Sequence, residues 1–381
     1  MIFKGLDYNT HKPIKVEVKN NIISSIIADE ACFDYDCFIA PGLIDLQLNG
    51  FNGIDLNTEG FTSLDIKRLT HFLFEKGVTT FLPTVITNSN EAIHTLLKRI
   101  VHACKIYPEV NASIGGIHLE GPFLSKADGP RGAHDIQYIQ APNWELFSQW
   151  QNTANGKIKI ITISPEWPEA IHFIKQCVAS GVIVSIGHTS ATPEQINNAI
   201  QAGATMSTHL GNGSHAMLPR HQNYIFEQLA SEVLWTTVIA DGFHIPDALL
   251  KIFIKTKPFK TILISDATSF AGLPSGSYTA HIGGEVFLNK NGKLHLKDKP
   301  NLLAGSAQSL LWGVNQLVKK NIVSLQESWD MGSVKPSELI NTTNSNGLKV
   351  GHQADLVLFK FNNDVIEIVQ TVKSGTVVYS K

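Results

Sequence analysis

The chain has 381 residues, 43% hydrophobic and 17% charged, with a formal net charge of -2 from 31 basic and 33 acidic side chains. That length suits one large barrel with something smaller beside it, and the composition is ordinary for a globular protein with a deep core. The near-balance of charge argues against a nucleic-acid or membrane-surface partner, which would need a basic excess; an anionic small substrate would need only a local basic pair.

The amino terminus, Met1-Ile2-Phe3-Lys4-Gly5-Leu6-Asp7, has no apolar signal core. No stretch approaches the ~18 apolar residues of a membrane span. Cys32, Cys37, Cys104 and Cys177 form no CxxC pair, so reduced thiols in a cytoplasmic protein are expected.

In chain order, Ile14-Lys15-Val16-Glu17-Val18 alternates with period two, and Asn20-Asn21 is a turn signal before Ile22-Ile23. The far end looks alike, with strand patterns at Asp355 to Phe359, Val365 to Val372 and Val377 to Tyr379. Neither end can bury a core alone. Residues 1–42 and 346–381 are therefore expected to form one small β-sandwich domain, with a barrel domain, 43–345, inserted between them.

The middle alternates strand and helix. Eight apolar, β-branched runs occur, around Leu43 to Leu48, Val78 to Pro83, Ile114 to Glu120, Ile158 to Ser164, Val182 to His188, Ala204 to His209, Thr236 to Asp241 and Thr261 to Asp266. Helix-like segments lie between most of them; one starts with Thr192 as N-cap and Pro193 at the first helical position, and Gly203 closes it. Eight such units favour a (β/α)₈ TIM barrel over an open doubly wound sheet. A hairpin is expected after the eighth run, Val286-Phe287-Leu288 to Leu294-His295-Leu296, turning near Asn291-Gly292.

Four of these runs end on a residue that can bind or serve a metal: Glu120, His188, His209 and Asp266. Parallel barrel strands bring such ends to one point. In His118-Leu119-Glu120-Gly121-Pro122, period two puts His118 and Glu120 on one face. Glu120 reads as a metal ligand, the alternative being a loop-capping carboxylate. His118, one layer deeper, reads as a buried hydrogen-bonding residue. His188 and His209 end consecutive strands, and neighbouring strands lie about 4.8 Å apart, so both imidazoles can reach one ion. Two imidazoles and a carboxylate suit Zn²⁺ with its fourth position open to water. Asp266 reads as general acid/base, or as an orienter of a ligand histidine. His244, in Asp241-Gly242-Phe243-His244, is a substrate-binding candidate or a loop cap. Arg220 could meet an anionic group or be a solvated arginine. Leu303-Ala304-Gly305-Ser306 resembles a helix entry whose backbone could approach a ligand.

Taken in order, several motifs resemble the N-acetylglucosamine-6-phosphate deacetylase family of the amidohydrolase superfamily. They are Pro41-Gly42-Leu43-Ile44-Asp45-Leu46-Gln47-Leu48-Asn49-Gly50, Gly77-Val78-Thr79-Thr80, His118-Leu119-Glu120-Gly121-Pro122-Phe123, Gly132-Ala133-His134, Gly187-His188-Thr189, Thr208-His209-Leu210, Asp241-Gly242-Phe243-His244, Ser265-Asp266-Ala267-Thr268 and Ala304-Gly305-Ser306. The resemblance covers nearly the whole chain. It implies a composite β-domain plus barrel, a divalent metal on Glu120, His188 and His209, and Asp266 as acid/base. It also implies that His134, Asn212, Gly213, Arg220, His244 and Ala304 meet an amino-sugar phosphate, partly across a homodimer interface.

Two departures stand out. Many amidohydrolases carry His-x-His at the end of the first strand for a second metal; here that position reads Gln47-Leu48-Asn49. One divalent ion per chain is expected, zinc ahead of iron, cobalt or manganese. The family also usually continues Thr-His-Leu-x-Asn with Ala-Met, whereas this chain continues Asn212-Gly213-Ser214-His215-Ala216-Met217-Leu218-Pro219-Arg220-His221. The expectation is a metal-dependent hydrolase of a linear amide that removes acetate from an N-acetyl amino-sugar phosphate. The rivals are a related amidohydrolase acting on a non-phosphorylated N-acetyl sugar or cyclic amide, and a non-catalytic binding protein on the same scaffold.

Overall fold

The computed structural model describes residues 1–29, 35–282, 284–342 and 347–381. Eight parallel strands follow one another around a barrel: β1 (Leu43–Leu48), β2 (Val78–Ile86), β3 (Ile117–Glu120), β4 (Ile158–Ile163), β5 (Ile183–Ile186), β6 (Met206–Ser207), β7 (Trp235–Ile239) and β8 (Thr261–Ile264). Each pairs with its sequence neighbour, as Thr162 with Ser185 and Ser185 with Met206. The strands are buried on both faces, which is why they read as apolar runs and not as alternating ones. Ile44, Leu46, Leu82, Ile160, Met206, Ile239, Ile262 and Ile264 fill the interior.

The seam between β8 and β1 is closed differently. The Asp266 amide donates to the Gln47 carbonyl at 3.0 Å. The Ser265 amide donates at 3.1 Å to the Asp45 carboxylate, which stands where a strand carbonyl would. A single bridge, Leu48 to Ala267, completes it. Burial lifts the Asp45 carboxyl to about 7.

Helices cover the barrel. Thr192 caps the helix Pro193–Gln201 in a capping box with Gln195, satisfying amide donors that the first turn leaves free. Among the described residues, no helix is long and apolar enough to cross a membrane.

Both chain ends build one seven-stranded sheet, in the order Thr376–Ser380, Val365–Lys373, Leu356–Asn362, Phe38–Pro41, Ile2–Asp7, Pro13–Lys19 and Ile22–Ala28. It has a core of its own around Val16, Ile23, Ile39, Leu356 and Val372. Phe38, Val357, Phe359 and Ile368 join the barrel's core instead. The amino-terminal strands end at Pro41 and the sheet resumes at Leu356; the expected boundary at 345/346 falls outside the described residues, as does Cys32.

The expected hairpin pairs Val286 with Leu296 and Leu288 with Leu294. It is the centre of a four-stranded sheet whose outer strands are Gly276–Ala280 and Lys299–Leu303. The segment after Leu303 is not a helix entry. Gly305 has φ +100°, Ser306 bridges Ala267 in parallel, and the next helix, Leu310–Lys319, begins after the Ser309 cap. Ser306 thus lies beside Ala267 before the chain turns into that helix.

Candidate active site

The carboxyl ends of β3, β5, β6 and β8 deliver the candidate residues. Glu120 is the last residue of β3, while His188, His209 and Asp266 each lie two residues beyond the end of their strand. These last three hold φ values of +48°, +28° and +47°, a region costly for a residue with a β-carbon. The strand ends therefore turn their side chains sharply inward over the barrel axis.

Glu120 Oε1 lies 3.1 Å from His188 Nε2 and 3.0 Å from His209 Nε2, and the two imidazole nitrogens are 3.2 Å apart. Donors bound at 2.0–2.1 Å in a tetrahedral site are roughly 3.3 Å from one another, so the triangle has the size of one face of a coordination polyhedron. His188 Nδ1 sits 2.8 Å from the Pro130 carbonyl. A carbonyl only accepts, so Nδ1 donates to it, and Nε2 is the nitrogen turned toward Glu120 and His209. A divalent cation among these three atoms satisfies them together, and the residues fit such an ion. His134 Nε2 is 3.3 Å from His188 Nε2, and Glu120, His134 and His188 also offer ligand atoms within 4.8 Å of one another. The tighter triangle is the one with His209.

Charge couples the three groups. Burial alone would raise the Glu120 carboxyl, but hydrogen bonds and charge from His188 and His209 hold it well below the usual carboxylate range. Burial opposes charge on His209, yet Glu120 and then Asp266 raise it. Burial lifts Asp266 to about 6, and the Glu120 charge adds to this. Burial pushes His134 down to about 3, with the His188 charge adding, so it stays neutral. His118 is fully buried one layer below, with Nδ1 3.2 Å from the Leu46 carbonyl and Nε2 2.7 Å from Thr162 Oγ1. It is tied into the barrel wall and faces no open site.

Gln47 and Asn49, noticed in the sequence for the histidines they replace, have positive contributions. Gln47 Nε2 donates to Glu120 Oε1 at 3.0 Å, and Asn49 Nδ2 donates to Asp266 Oδ1 at 2.7 Å. Each amide orients a carboxylate. Asp241, passed over in the sequence, anchors His244. Its Oδ1 accepts the amides of Phe243 and His244, and its Oδ2 lies 2.7 Å from His244 Nδ1. The signal was present in the Asp-x-x-His spacing of a capping turn.

The expected substrate contacts divide. His134 is inside the cluster. The amide and Nδ2 of Asn212 both donate to the His209 carbonyl, at 2.9 and 3.2 Å. Gly213 lies against the His188 ring: with φ +57°, a β-carbon there would come 2.6 Å from His188 Nδ1. His244 is part-buried, its Nδ1 held by Asp241. Ala304 is part-buried, its amide bonded to the Leu294 carbonyl. Arg220 sits in a mostly exposed segment, 216–222, beside Met217, which is 89% exposed. Among the described residues, no hydrogen bond or ion pair joins Arg220 to the cluster.

The profile of the Amidohydrolase family matches residues 38–378. The N-acetylglucosamine-6-phosphate deacetylase of Bacillus subtilis is 31% identical over 348 residues, covering 90% of this chain and 85% of that protein. The protein of the same name from Lysinibacillus sphaericus is 30% identical over 342 residues, covering 89% and 85%. The crystal structure of N-acetylglucosamine-6-phosphate deacetylase from Pasteurella multocida matches with a TM-score of 0.87 at 26% identity, over 100% of both chains. The chain belongs to the amidohydrolase family and, within it, to the N-acetylglucosamine-6-phosphate deacetylases.

Proposed function

We propose that this protein is a metal-dependent deacetylase that hydrolyses the acetamide of N-acetylglucosamine-6-phosphate to the free amine and acetate. The observation that carries the reading is the convergence of Glu120, His188 and His209 within 3.0–3.2 Å, with Asp266 beside them in a chain of this family. Glu120, His188 and His209 would hold one divalent ion, zinc by preference for this donor set. Such an ion supplies a Lewis acid that polarises the acetyl carbonyl and lowers the pKa of water from 15.7 towards ~7.

The rest falls to the protein's own groups. Asn49 holds Asp266 Oδ1, leaving the other oxygen to take the proton of the attacking water. Asp266 then returns that proton to the departing nitrogen, and amide plus water becomes amine plus acetate. Neutral His134 can donate an N–H to the oxygen on which charge develops. His244, its Nδ1 bound to Asp241, presents Nε2 to a sugar hydroxyl or the phosphate. Asn212, Gly213 and Ala304 line the approach through their backbones.

The exposed Arg220 supports a homodimer in which it meets the phosphate bound by the neighbouring copy. The same exposure favours a second reading, a non-phosphorylated N-acetyl sugar as substrate. The free thiols of Cys37, Cys104 and Cys177 support a reducing, cytoplasmic setting. A screen of acetate release from N-acetylhexosamines with and without the 6-phosphate tests the reading. Preference for N-acetylglucosamine-6-phosphate supports it, indifference to phosphate favours the second reading, and no release from any of them defeats both.

A further inference from the structure

Glu166 follows β4, and its carboxylate gathers the loops after three consecutive strands. Oε1 accepts from Ser125 Oγ at 3.0 Å. Oε2 accepts from Ser164 Oγ at 2.8 Å, from the Ser190 amide at 2.9 Å and from Ser190 Oγ at 3.0 Å. The hydroxyls of Ser125 and Ser190 also touch each other. Ser125 lies after β3, Ser164 at the end of β4 and Ser190 after β5. Among the described residues, Glu166 forms no ion pair; these partners are neutral.

The network reaches His188. The Ser125 amide donates to the His188 carbonyl at 2.9 Å, and Ser190 is two residues further along the chain. His188 itself sits at φ +48°. A histidine stays in that region only when its surroundings over-determine it. The two attachments to Glu166 hold the chain at the His188 carbonyl and two residues beyond it. An ionised carboxylate suits the task because it only accepts and has room for about four hydrogen bonds, each strengthened by its charge. An alanine would leave a buried serine hydroxyl and the Ser190 amide without that acceptor.

We propose that Glu166 is a positioning residue for His188: it locks the loops after β3, β4 and β5 so that the imidazole is held toward Glu120 and His209. The inference rests on the reading of His188 as a metal ligand. Groups that orient a ligand commonly contribute about 10- to 100-fold in metal affinity.

The test is Zn²⁺ affinity by competition with a chromogenic chelator, with thermal stability and the KM for N-acetylglucosamine-6-phosphate measured on the same samples. Glu166→Ala should weaken Zn²⁺ binding about 10- to 100-fold and leave KM near that of the wild type. Glu166→Gln should recover most of the loss, since its amide oxygen still accepts from Ser190 and its NH₂ can donate to Ser125 Oγ. His188→Ala should lose Zn²⁺ outright. Should Glu166→Ala fail to fold, the double variant Ser125→Ala/Ser190→Ala takes its place. It should weaken Zn²⁺ binding about 5-fold or more, as lost hydrogen bonds of ordinary strength imply. Zn²⁺ affinity within about twofold of wild type in Glu166→Ala, or in the double variant, alongside a collapse in His188→Ala, overturns the clamp. Equal losses in Glu166→Gln and Glu166→Ala also overturn it. Wild-type affinity in His188→Ala overturns instead the ligand reading on which the clamp stands.

Discussion

Substituting Gly213 by alanine should damage metal binding more than substrate binding. The added β-carbon would lie 2.6 Å from His188 Nδ1, 2.8 Å from its Cε1 and 3.2 Å from the Pro130 carbonyl oxygen. Ordinary contact begins near 3.4 Å, so the ring must retreat by roughly 1 Å to restore van der Waals separation. That displacement breaks the 2.8 Å bond from Nδ1 to Pro130 and pulls Nε2 away from Glu120 and His209. The left-handed backbone at φ +57° adds about 1–2 kcal/mol for a residue with a β-carbon, and the lost hydrogen bond about 0.5–1.5 kcal/mol. The expected result is a loss of about 1.5–3.5 kcal/mol in stability by these two contributions. Metal affinity should fall about 10- to 100-fold, as when a ligand loses its orienting partner. Denaturant unfolding and chelator competition measure the two effects. Metal affinity within twofold of wild type would refute the reasoning; a raised KM with intact metal binding would make Gly213 a substrate contact instead.

Elemental analysis should find one tightly bound divalent ion per chain, because Gln47 and Asn49 already donate to Glu120 and Asp266; two tightly bound ions would contradict this. Arg220→Ala should raise KM for N-acetylglucosamine-6-phosphate about 10- to 150-fold, the worth of a charge-assisted hydrogen bond, and barely change it for the unphosphorylated sugar. Equal changes for both substrates would mean that Arg220 only supports its segment. Asp45 gives a pH signature. Its folded pKa, about 7, lies above the ordinary aspartate value of 3.8, so between these values the folded state holds more protons than the unfolded one. Stability from this group is therefore present below pH 4 and is lost as pH rises towards 7. Relative to Asp45→Asn, the wild type should lose up to about 1.4 kcal/mol per pH unit in that window; parallel pH profiles in urea unfolding would show that Asp45 does not titrate there.

The barrel was legible because its strands are buried on both faces and must be apolar, and because four of the runs stop on a polar residue that solvent does not explain. Glu120, His188, His209 and Asp266 could be singled out on that ground alone. The left-handed backbone at three of them was not, since only the turn over the barrel axis demands it. Nor were the roles of Gln47 and Asn49: an amide's partner is set by neighbouring strands, here β3 and β8, and not by its own segment. The outer strands Gly276–Ala280 and Lys299–Leu303 escaped because they are rich in glycine, serine, threonine and proline and carry exposed side chains, so no apolar alternation marks them. The helix entry expected at Leu303 to Ser306 comes later, at Ser309, because Gly305 holds φ +100° and Ser306 first bridges Ala267. For Arg220, the sequence left an anion contact and a solvated side chain both open, and the segment carrying it, 216–222, is mostly exposed.

The most direct test compares wild type with Asp266→Asn for acetate release from N-acetylglucosamine-6-phosphate, with metal content measured on the same preparations. The account predicts one divalent ion per chain in both, and a kcat lower by roughly 10²–10⁴ in the variant, because its amide cannot take the proton. Near-normal turnover in Asp266→Asn, or no acetate from the metal-replete wild type, would contradict it.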